Sequence, residues 1–494
     1  MWRIKASEVR NPSAISAKFA FGKTGAEESR VGAPRLHFGE GERALARGVG
    51  FSECWEVIWV YRLLFPFVLL LLSPAYLWRM RRRGGYGENF GHRFGGQPRL
   101  GPKPGGRKRV WVQAVSVGEM LAIAPLLEAL RADGAEVFLT TTTSTGYALA
   151  KERYGKLVSA VGYFPLDWWP FSARAWRRIE PDLVILTEGE RWPEHLRQAR
   201  ARGVRVVAIN ARMSDRSYRR MKGLGPVARL MTAGLDRVLA CSEHDARRFR
   251  ELGVPAENVA ATGNIKLDVS IPRLDEAARA DLKRELGLPE NALVLLGSST
   301  WPGEEEAMLA ALREARARGL RCALLLVPRH AERRGEIERL LNTGEFKSHL
   351  RSRGAATEDV DIAVGDTTGE LRKFTQLADL VFVGKSLSPH TEGQTPVEAA
   401  VLGRALVFGP GMGNFRAIAR ELLAAEAAVQ VSGAAELAKA GAELLADEER
   451  RARLGAAAVA WHRANAGAME RTLGVLREEL GRAESGKGRV ARGG

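Results

Sequence analysis

The stretch VWVQAVSVGEMLAIAPLLEALRADGAEVFLTT, residues 110–141, decides the fold class. A short, almost wholly apolar run (110–115) gives way to an apolar pattern of helical period (120–134), and a second apolar run follows (136–141). Strands that are apolar on every residue need cover on both faces, which is the signature of a parallel sheet flanked by helices. Working outward, similar runs recur as LVILTE (183–188), VRVVAIN (204–210) and RVLACS (237–242). A second series begins near residue 290, with LVLLGSS (293–299), CALLLVP (322–328), LVFVG (380–384) and ALVFG (405–409). Polar sequence around 268–290 separates the two series, so the chain is read as α/β with two Rossmann-like domains and a cleft between them. The Ala-, Glu- and Arg-rich tail from Ala434 to Glu484 reads as helices.

Ahead of the first domain, Trp55 to Trp78 (WEVIWVYRLLFPFVLLLLSPAYLW) carries only Glu56 and Arg62 as charges. Its length suits a membrane crossing, aromatics stand at both ends, and Arg62 lies near enough to one end to snorkel. Arg79, Arg81, Arg82 and Arg83 follow at once, which predicts a cytoplasmic side for the rest of the chain. A surface-lying or re-entrant helix fits the same sequence, and a buried core helix is the competing reading. The expected organisation is a disordered extension (1–50), a membrane-anchor helix with its basic flank (51–83), a first domain (84–270), a second domain (271–485) and a disordered tail (486–494). Lys and Arg number 75 against 58 Asp and Glu, a net charge of +17 that suggests an anionic partner. The three cysteines are far apart, and no His/Cys/Asp cluster has metal-ligand spacing, so a disulfide scaffold and a zinc enzyme are excluded. No Gly-x-Ser-x-Gly elbow is present, which argues against a serine hydrolase.

In open parallel sheets, ligands bind beyond the carboxyl ends of the strands. Glu119 stands there after the first strand; position alone suits a general base and a complement to the helix dipole equally. Thr140 to Thr143 with Ser144, Thr145 and Gly146 form a hydroxyl-rich loop that reads as capping. Glu188 and Glu190 follow another strand and, by themselves, read as exposed charges. Arg212, Arg216, Arg219, Arg220 and Lys222 cluster after the next one, where phosphate binding and a solvated face are equally supported. In the second half, Arg329 ends a strand, Gly365 to Glu370 form a turn, and Gly384-Lys385-Ser386 resembles a phosphate loop without being a Walker A motif. Thr395, Pro396 and Glu398 read as an N-cap, a first-turn proline and a first-turn acid.

Taken in order, YRLLFP, AVSVGE, TTTTSTG, TEGERWP, NARMSDRS, TGNIKLD (262–268), SSTWPGEE (298–305), PRH, GDTTGEL, FVGKSL, TPVEAA and GPGMGNF resemble the motifs of the Kdo transferases. These membrane-associated glycosyltransferases move 3-deoxy-manno-octulosonate (Kdo) from its CMP ester onto a lipid A precursor. The resemblance runs from about Trp55 to at least Arg420 and implies the GT-B arrangement, two Rossmann-like domains facing a cleft. It implies a catalytic role for Glu119 as the general base, and for Glu188 and Lys266 as an acid and a lysine that stabilise the transition state. It places Pro328, Arg329, Thr368, Gly369, Glu370, Thr395, Pro396, Val397 and Glu398 around CMP, with Arg329 at the phosphate and Glu398 at the ribose. Gly384 and Ser386 are expected beside the donor, and Arg212, Ser214, Arg216, Arg219 and Lys222 beside the acceptor's phosphates.

Four features depart from the family pattern. Trp301 and Pro302 replace a His-Glu pair, Lys385 stands where a second glycine is common, and Gly411 where His is common. The loop Thr391 to Thr395 is one residue longer than usual, and leads into Pro396-Val397-Glu398. The expected activity is an inverting, metal-independent Kdo transfer at the cytoplasmic face of the inner membrane, with CMP-Kdo and a lipid A precursor as substrates, no further cofactor and no nucleic acid. A GT-B transferase or epimerase using another nucleotide sugar is the alternative. A basic nucleic-acid-binding protein is a third reading, for which no recognition motif is present.

Overall fold

The computed structural model of the protein describes residues 52–82 and 88–490. The expected N-terminal extension, Arg83, the side chains of Arg79, Arg81 and Arg82, and residues 491–494 lie outside the described residues. Two sheets of seven parallel strands organise the chain. The first holds β1 (Arg109–Gln113), β2 (Glu136–Thr141), β3 (Ala160–Tyr163), β4 (Leu183–Thr187), β5 (Arg205–Ala211), β6 (Arg237–Ala240) and β7 (Val259–Ala261), in the order β3-β2-β1-β4-β5-β6-β7. The second holds β8 (Leu293–Thr300), β9 (Cys322–Pro328), β10 (Ser348–Leu350), β11 (Ile362–Val364), β12 (Leu380–Val383), β13 (Ala405–Phe408) and β14 (Val429–Gln430), in the order β10-β11-β9-β8-β12-β13-β14. In the first sheet the chain builds outward from β1 to β3 and then crosses to β4; in the second it passes from β8 through β9 to the edge strand β10, returns to place β11 between β9 and β10, and then crosses to β12. The crevices between β1 and β4 and between β8 and β12 are therefore the switch points where ligands collect.

Alternate strand residues enter separate cores, as a sheet covered on both faces requires. Trp111 of β1 packs with Phe138, Phe164 and Trp176 on one face, while Val110 and Val112 pack with Leu126, Leu127 and Leu130 on the other. In β8, Val294 and Leu296 join one cluster and Leu295 the opposite one. Each such side chain, fully buried, contributes about 1.5–3 kcal/mol. The expected helix at 120–134 is two helices, Val117–Ala122 and Ala124–Ala132, because Pro125 cannot supply the amide hydrogen that would continue the first.

The expected boundary of the second domain at residue 485 is corrected. The helix Ala468–Val490 returns to the first sheet, where Ala468 and Leu476 are fully buried with Val207 and Ile209 of β5. Glu479, also buried, pairs with Arg205 and with Arg237 (3.0 Å). Asp268 accepts the amides of Gly467 (2.7 Å) and Met469, stitching the crossing together. This helix also runs on to Val490, into the segment from residue 486 that was expected to be disordered.

The N-terminal helix is Ser52–Arg82, with Pro66 and Pro74 inside it. Its stretch Val57–Pro74 has a mean hydropathy of 1.9 and is long and apolar enough to cross a membrane. Leu63, Phe67, Leu70 and Leu71 are exposed, which rules out the core-helix reading. Arg62 does not snorkel. Its guanidinium pairs with the buried carboxylate of Glu194 through Nε–Oε2 (2.8 Å) and Nη2–Oε1 (3.0 Å). The hydroxyl of neighbouring Tyr61 donates to Asp167 (2.7 Å), and the Trp168 indole donates to the Arg62 carbonyl (3.3 Å). The first turns of the helix are thus latched onto the first lobe.

Candidate active site

At the first switch point, Ser116 ends the β1 exit and caps the short helix that carries Glu119. The Glu119 carboxylate accepts from the Val115 amide (3.0 Å), the Ser116 hydroxyl (3.0 Å) and the Thr187 hydroxyl (2.6 Å). Three donors from two strand exits fix its direction, and a fixed carboxylate is what proton abstraction from a bound hydroxyl needs. Glu190 lies close by. Burial pushes its carboxyl above the usual range, the Trp192 indole N–H (2.6 Å) works against that, and the Glu119 charge adds to it. The reading of Glu188 and Glu190 as exposed charges is corrected, since both are largely covered.

Glu188 sits just past β4 with φ 52°, a left-handed conformation unusual for a residue with a side chain. This aims its carboxylate at Lys266 on one oxygen and at Arg212 on the other (Nη2 2.6 Å, Nε 2.9 Å). Lys266 comes from a short turn after β7, and the Asn210 side chain accepts the Ile265 amide (3.1 Å) to hold that turn in place. Residues separated by 78 positions thus meet as one carboxylate with two cations. Arg212, expected beside the acceptor, is committed to Glu188. Ser214 caps the helix Asp215–Gly223 by accepting the Ser217 amide (3.2 Å), and Lys222 is held by Tyr218 (3.0 Å) and Glu251 (3.2 Å). Arg216 and Arg219 are exposed on the same helix and, among the described residues, form no ion pair. The hydroxyl loop is a cap, as expected: Thr143 accepts the Gly146 amide (3.1 Å).

At the second switch point, Pro328 closes β9 and Arg329 is exposed just beyond it; its amide bonds to the Thr300 carbonyl (3.1 Å) and, among the described residues, its side chain has no ion-pair partner. Thr368 and Gly369 are exposed in the turn after β11, where Gly369 has φ 90°, and Glu370 is bonded by Thr367 and Arg351. The Glu398 carboxyl is raised by burial, against the pull of Arg372 at 3.6 Å. The helix begins at Val397, with the Thr395 hydroxyl accepting the Val397 amide (3.3 Å). Three residues expected beside the donor also have roles in the fold itself. Ser386 is fully buried, with its hydroxyl spent on the Val383 carbonyl (2.6 Å) and the Gly409 amide (2.9 Å). Val397 belongs to the core beneath the site. Gly384 is required because a Cβ there would meet the Ser299 carbonyl oxygen at 2.3 Å.

Glu304 was missed by sequence reasoning, although SSTWPGEE was singled out. Fully buried, it accepts the amides of Trp301 (3.0 Å), Lys385 (2.7 Å), Ser386 (2.8 Å) and Leu387 (3.1 Å), and so fixes both rims of the β8–β12 crevice. Thr187 and Asn210 were missed for the same reason: their roles are contacts between distant strand exits. Among the described residues no group of three His, Cys, Asp or Glu side chains is placed to hold a metal ion.

Residues 88–269 match the model of the 3-deoxy-D-manno-octulosonic-acid transferase family. The chain is 36% identical to the 3-deoxy-D-manno-octulosonic acid transferase of Bordetella pertussis, over 83% of this chain and 97% of the relative. It is 32% identical to the enzyme of the same name from Haemophilus influenzae, over 85% of this chain and 96% of that one. Among solved structures, a glycosyltransferase from Rickettsia africae aligns with a TM-score of 0.52 at 12% identity, covering 76% of this chain and 99% of that one, which supports the two-lobed GT-B fold. The chain belongs to the Kdo transferase family of glycosyltransferases.

Proposed function

We propose that this chain transfers Kdo from CMP-Kdo to a lipid A precursor, an inner-core step of lipopolysaccharide biosynthesis, by a single inverting displacement. The observation that carries the reading is the Glu119 carboxylate held by three donors beside the Glu188–Lys266–Arg212 cluster. Glu119 takes the proton of the acceptor's primary hydroxyl, whose oxygen bonds to the anomeric carbon of Kdo. The bond from that carbon to the phosphate oxygen breaks, and its electron pair leaves with CMP. Lys266 and Arg329 offset the charge that grows on the leaving phosphate. Glu188 keeps Lys266 and Arg212 on a common axis. Arg329, Thr368 to Glu370, and Glu398 with Thr395 and Pro396 hold CMP, while Arg216 and Arg219 meet acceptor phosphates.

The membrane helix is read as lying on the cytoplasmic face of the inner membrane, not crossing it. Tyr61 and Arg62 are fastened to the first lobe, and the chain rejoins that lobe at Glu88. From Arg62 to Arg82 the helix spans about 30 Å, whereas the link from Arg82 to Glu88 reaches at most about 22 Å. A single crossing would leave the far end across about 30 Å of hydrocarbon with no chain to return. An apolar helix face lying in the bilayer surface meets both tethers and keeps the catalytic lobes beside a lipid acceptor.

The deciding experiment pairs Glu119→Ala with Glu119→Gln, assayed with CMP-Kdo and tetra-acyl lipid A precursor, with products resolved by mass. Transfer should fall by about 10²–10⁴-fold in both variants, with CMP affinity unchanged. Transfer near the wild-type rate would remove Glu119 as the base, and a wild-type chain inert with CMP-Kdo would remove the reading as a whole.

A further inference from the structure

The departures from the family pattern at Trp301, Lys385 and the 391–395 loop form one physical cluster. Trp301 follows β8, His330 follows β9 and Lys385 follows β12, three adjacent strands at the second switch point. The Lys385 ammonium lies 4.1 Å from the centre of the Trp301 ring. His330 and His390 pack on the same ring, at 5.2 and 5.7 Å between centroids. The Trp301 indole N–H is buried with no hydrogen-bond partner, so the ring is placed for its face and not for its nitrogen. Lys385 itself has φ 57°, a conformation that suits glycine, and its amide is pinned by Glu304. Its ion-pair partner is Glu392, at 3.4 Å; the side chains are 19% and 46% exposed. The loop bearing Glu392 is tied to the lysine by the Gly393 amide on the Lys385 carbonyl (2.8 Å) and the Gln394 amide on the Gly384 carbonyl (3.0 Å).

A strained backbone that holds a cation at a ligand crevice points to a ligand anion. Arg329 already supplies a cation for the phosphate, two strands away, or about 10 Å along the sheet. Both side chains are long enough to converge from that separation. The donor read above is a CMP ester of a 2-keto sugar acid, which carries its carboxylate on the same anomeric carbon as the phosphate ester. Two anions so close suit two cations that reach in from the strand exits on either side of β8. Resting on the proposed function, we propose that Lys385 recognises the sugar-acid carboxylate of the donor, with Glu392 occupying the ammonium until the donor displaces it.

The test measures donor KM, kcat and the inhibition constant for CMP in wild type, Lys385→Gly, Lys385→Arg and Glu392→Gln. Glycine relieves the left-handed backbone, and thermal unfolding checks that each variant folds. Lys385→Gly should raise donor KM by about tenfold or more, as loss of a charge-assisted bond does, and leave the CMP constant within about twofold. Lys385→Arg should recover most of the loss. Glu392→Gln should lower donor KM, because the internal competitor is gone. An unchanged KM in Lys385→Gly overturns the inference, and an equal loss for CMP assigns the lysine to the phosphate instead. A raised KM in Glu392→Gln overturns the displacement. Wild-type turnover of CMP-Kdo with any of these results leaves the functional reading standing; absence of that turnover sinks both.

Discussion

Replacing Arg62 by alanine tests whether the apolar N-terminal helix is fastened to the first lobe. The guanidinium makes a two-pronged bond to Glu194, whose side chain is 0% exposed. Removing one partner of a buried ion pair costs about 3–5 kcal/mol when the other charge is stranded. Glu194 is not wholly stranded, because Gln198 (2.6 Å) and Arg197 (3.2 Å) still reach it. The Arg62 head also lies 4.6 Å above Trp59 and 5.5 Å above Trp169, contacts worth about 0.5–1 kcal/mol together. A net loss of about 2–4 kcal/mol in docking follows, which multiplies the undocked population by about thirtyfold or more. Hydrogen exchange in lipid nanodiscs reads this directly, at helix amides 57–65 and at 194–198. Both should exchange faster in Arg62→Ala, and a cycle with Glu194→Gln should show a coupling of about 1–3 kcal/mol. Vesicle association should persist, because the apolar face is untouched, while transfer to a membrane-borne acceptor slows. Unchanged protection, or additive single variants, would refute the latch and with it the surface-lying geometry.

Two further outcomes follow from the same contacts. Lys266→Ala should lower kcat by about 10²–10³-fold with donor KM little changed, read by single-turnover kinetics; an effect on KM alone would make the lysine a ground-state contact. The pH dependence of the first lobe should show two opposed titrations. Burial lowers His195 to about 3, and its Nδ1 faces the Trp176 indole N–H at 3.1 Å, so the unfolded chain binds the proton more tightly and stability falls as pH drops from about 6.5. Burial raises Asp167 to about 7, against the Tyr61, Glu194 and His195 donors, so this group loses stability as pH rises from about 4. Between those limits the slopes oppose, each at most about 1.4 kcal/mol per pH unit. Thermal midpoints of wild type should therefore be nearly flat there, with His195→Gln declining and Asp167→Asn rising as pH increases; parallel curves for all three would discount both groups.

The central strands were legible because a strand buried on both faces is apolar nearly throughout: VWV, LVIL and ALLLV declare themselves. β3, β7, β10, β11 and β14 escaped notice, since each has two to four residues and most lie toward sheet margins, where alternation has no room to show. The C-terminal helix was assigned to the wrong lobe for a different reason. Its apolar stripe states that it packs, while the partner is chosen by Glu479 meeting Arg205 and Arg237 from more than 240 positions away. The site divides in the same way. Glu119, Glu188 and Arg329 could be suspected from their places after strands. The network that aims them, Thr187, Asn210 and Glu304, consists of ordinary polar residues that acquire meaning only in three dimensions.

Backbone conformation links the two halves of the site. Glu188, Asn210, Ser299 and Lys385 all take positive φ at or just beyond the carboxyl end of a strand. Each such residue costs about 1–3 kcal/mol relative to relaxed backbone, so the molecule would gain from glycine unless the side chain returns something. For Lys385 the balance can be drawn. Glycine removes the strain but adds about 0.5–1 kcal/mol of backbone entropy. It also forfeits the cation–π contact and a half-exposed ion pair, together about 1–2 kcal/mol. The sums nearly cancel, so Lys385→Gly should unfold within about 1 kcal/mol of wild type. Stability then offers no reason for a lysine in a glycine's place, and the reason must lie in what the crevice binds. A loss of several kcal/mol in that variant would show instead that the lysine holds Trp301 in the fold, and the carboxylate it was assigned would have to be met elsewhere.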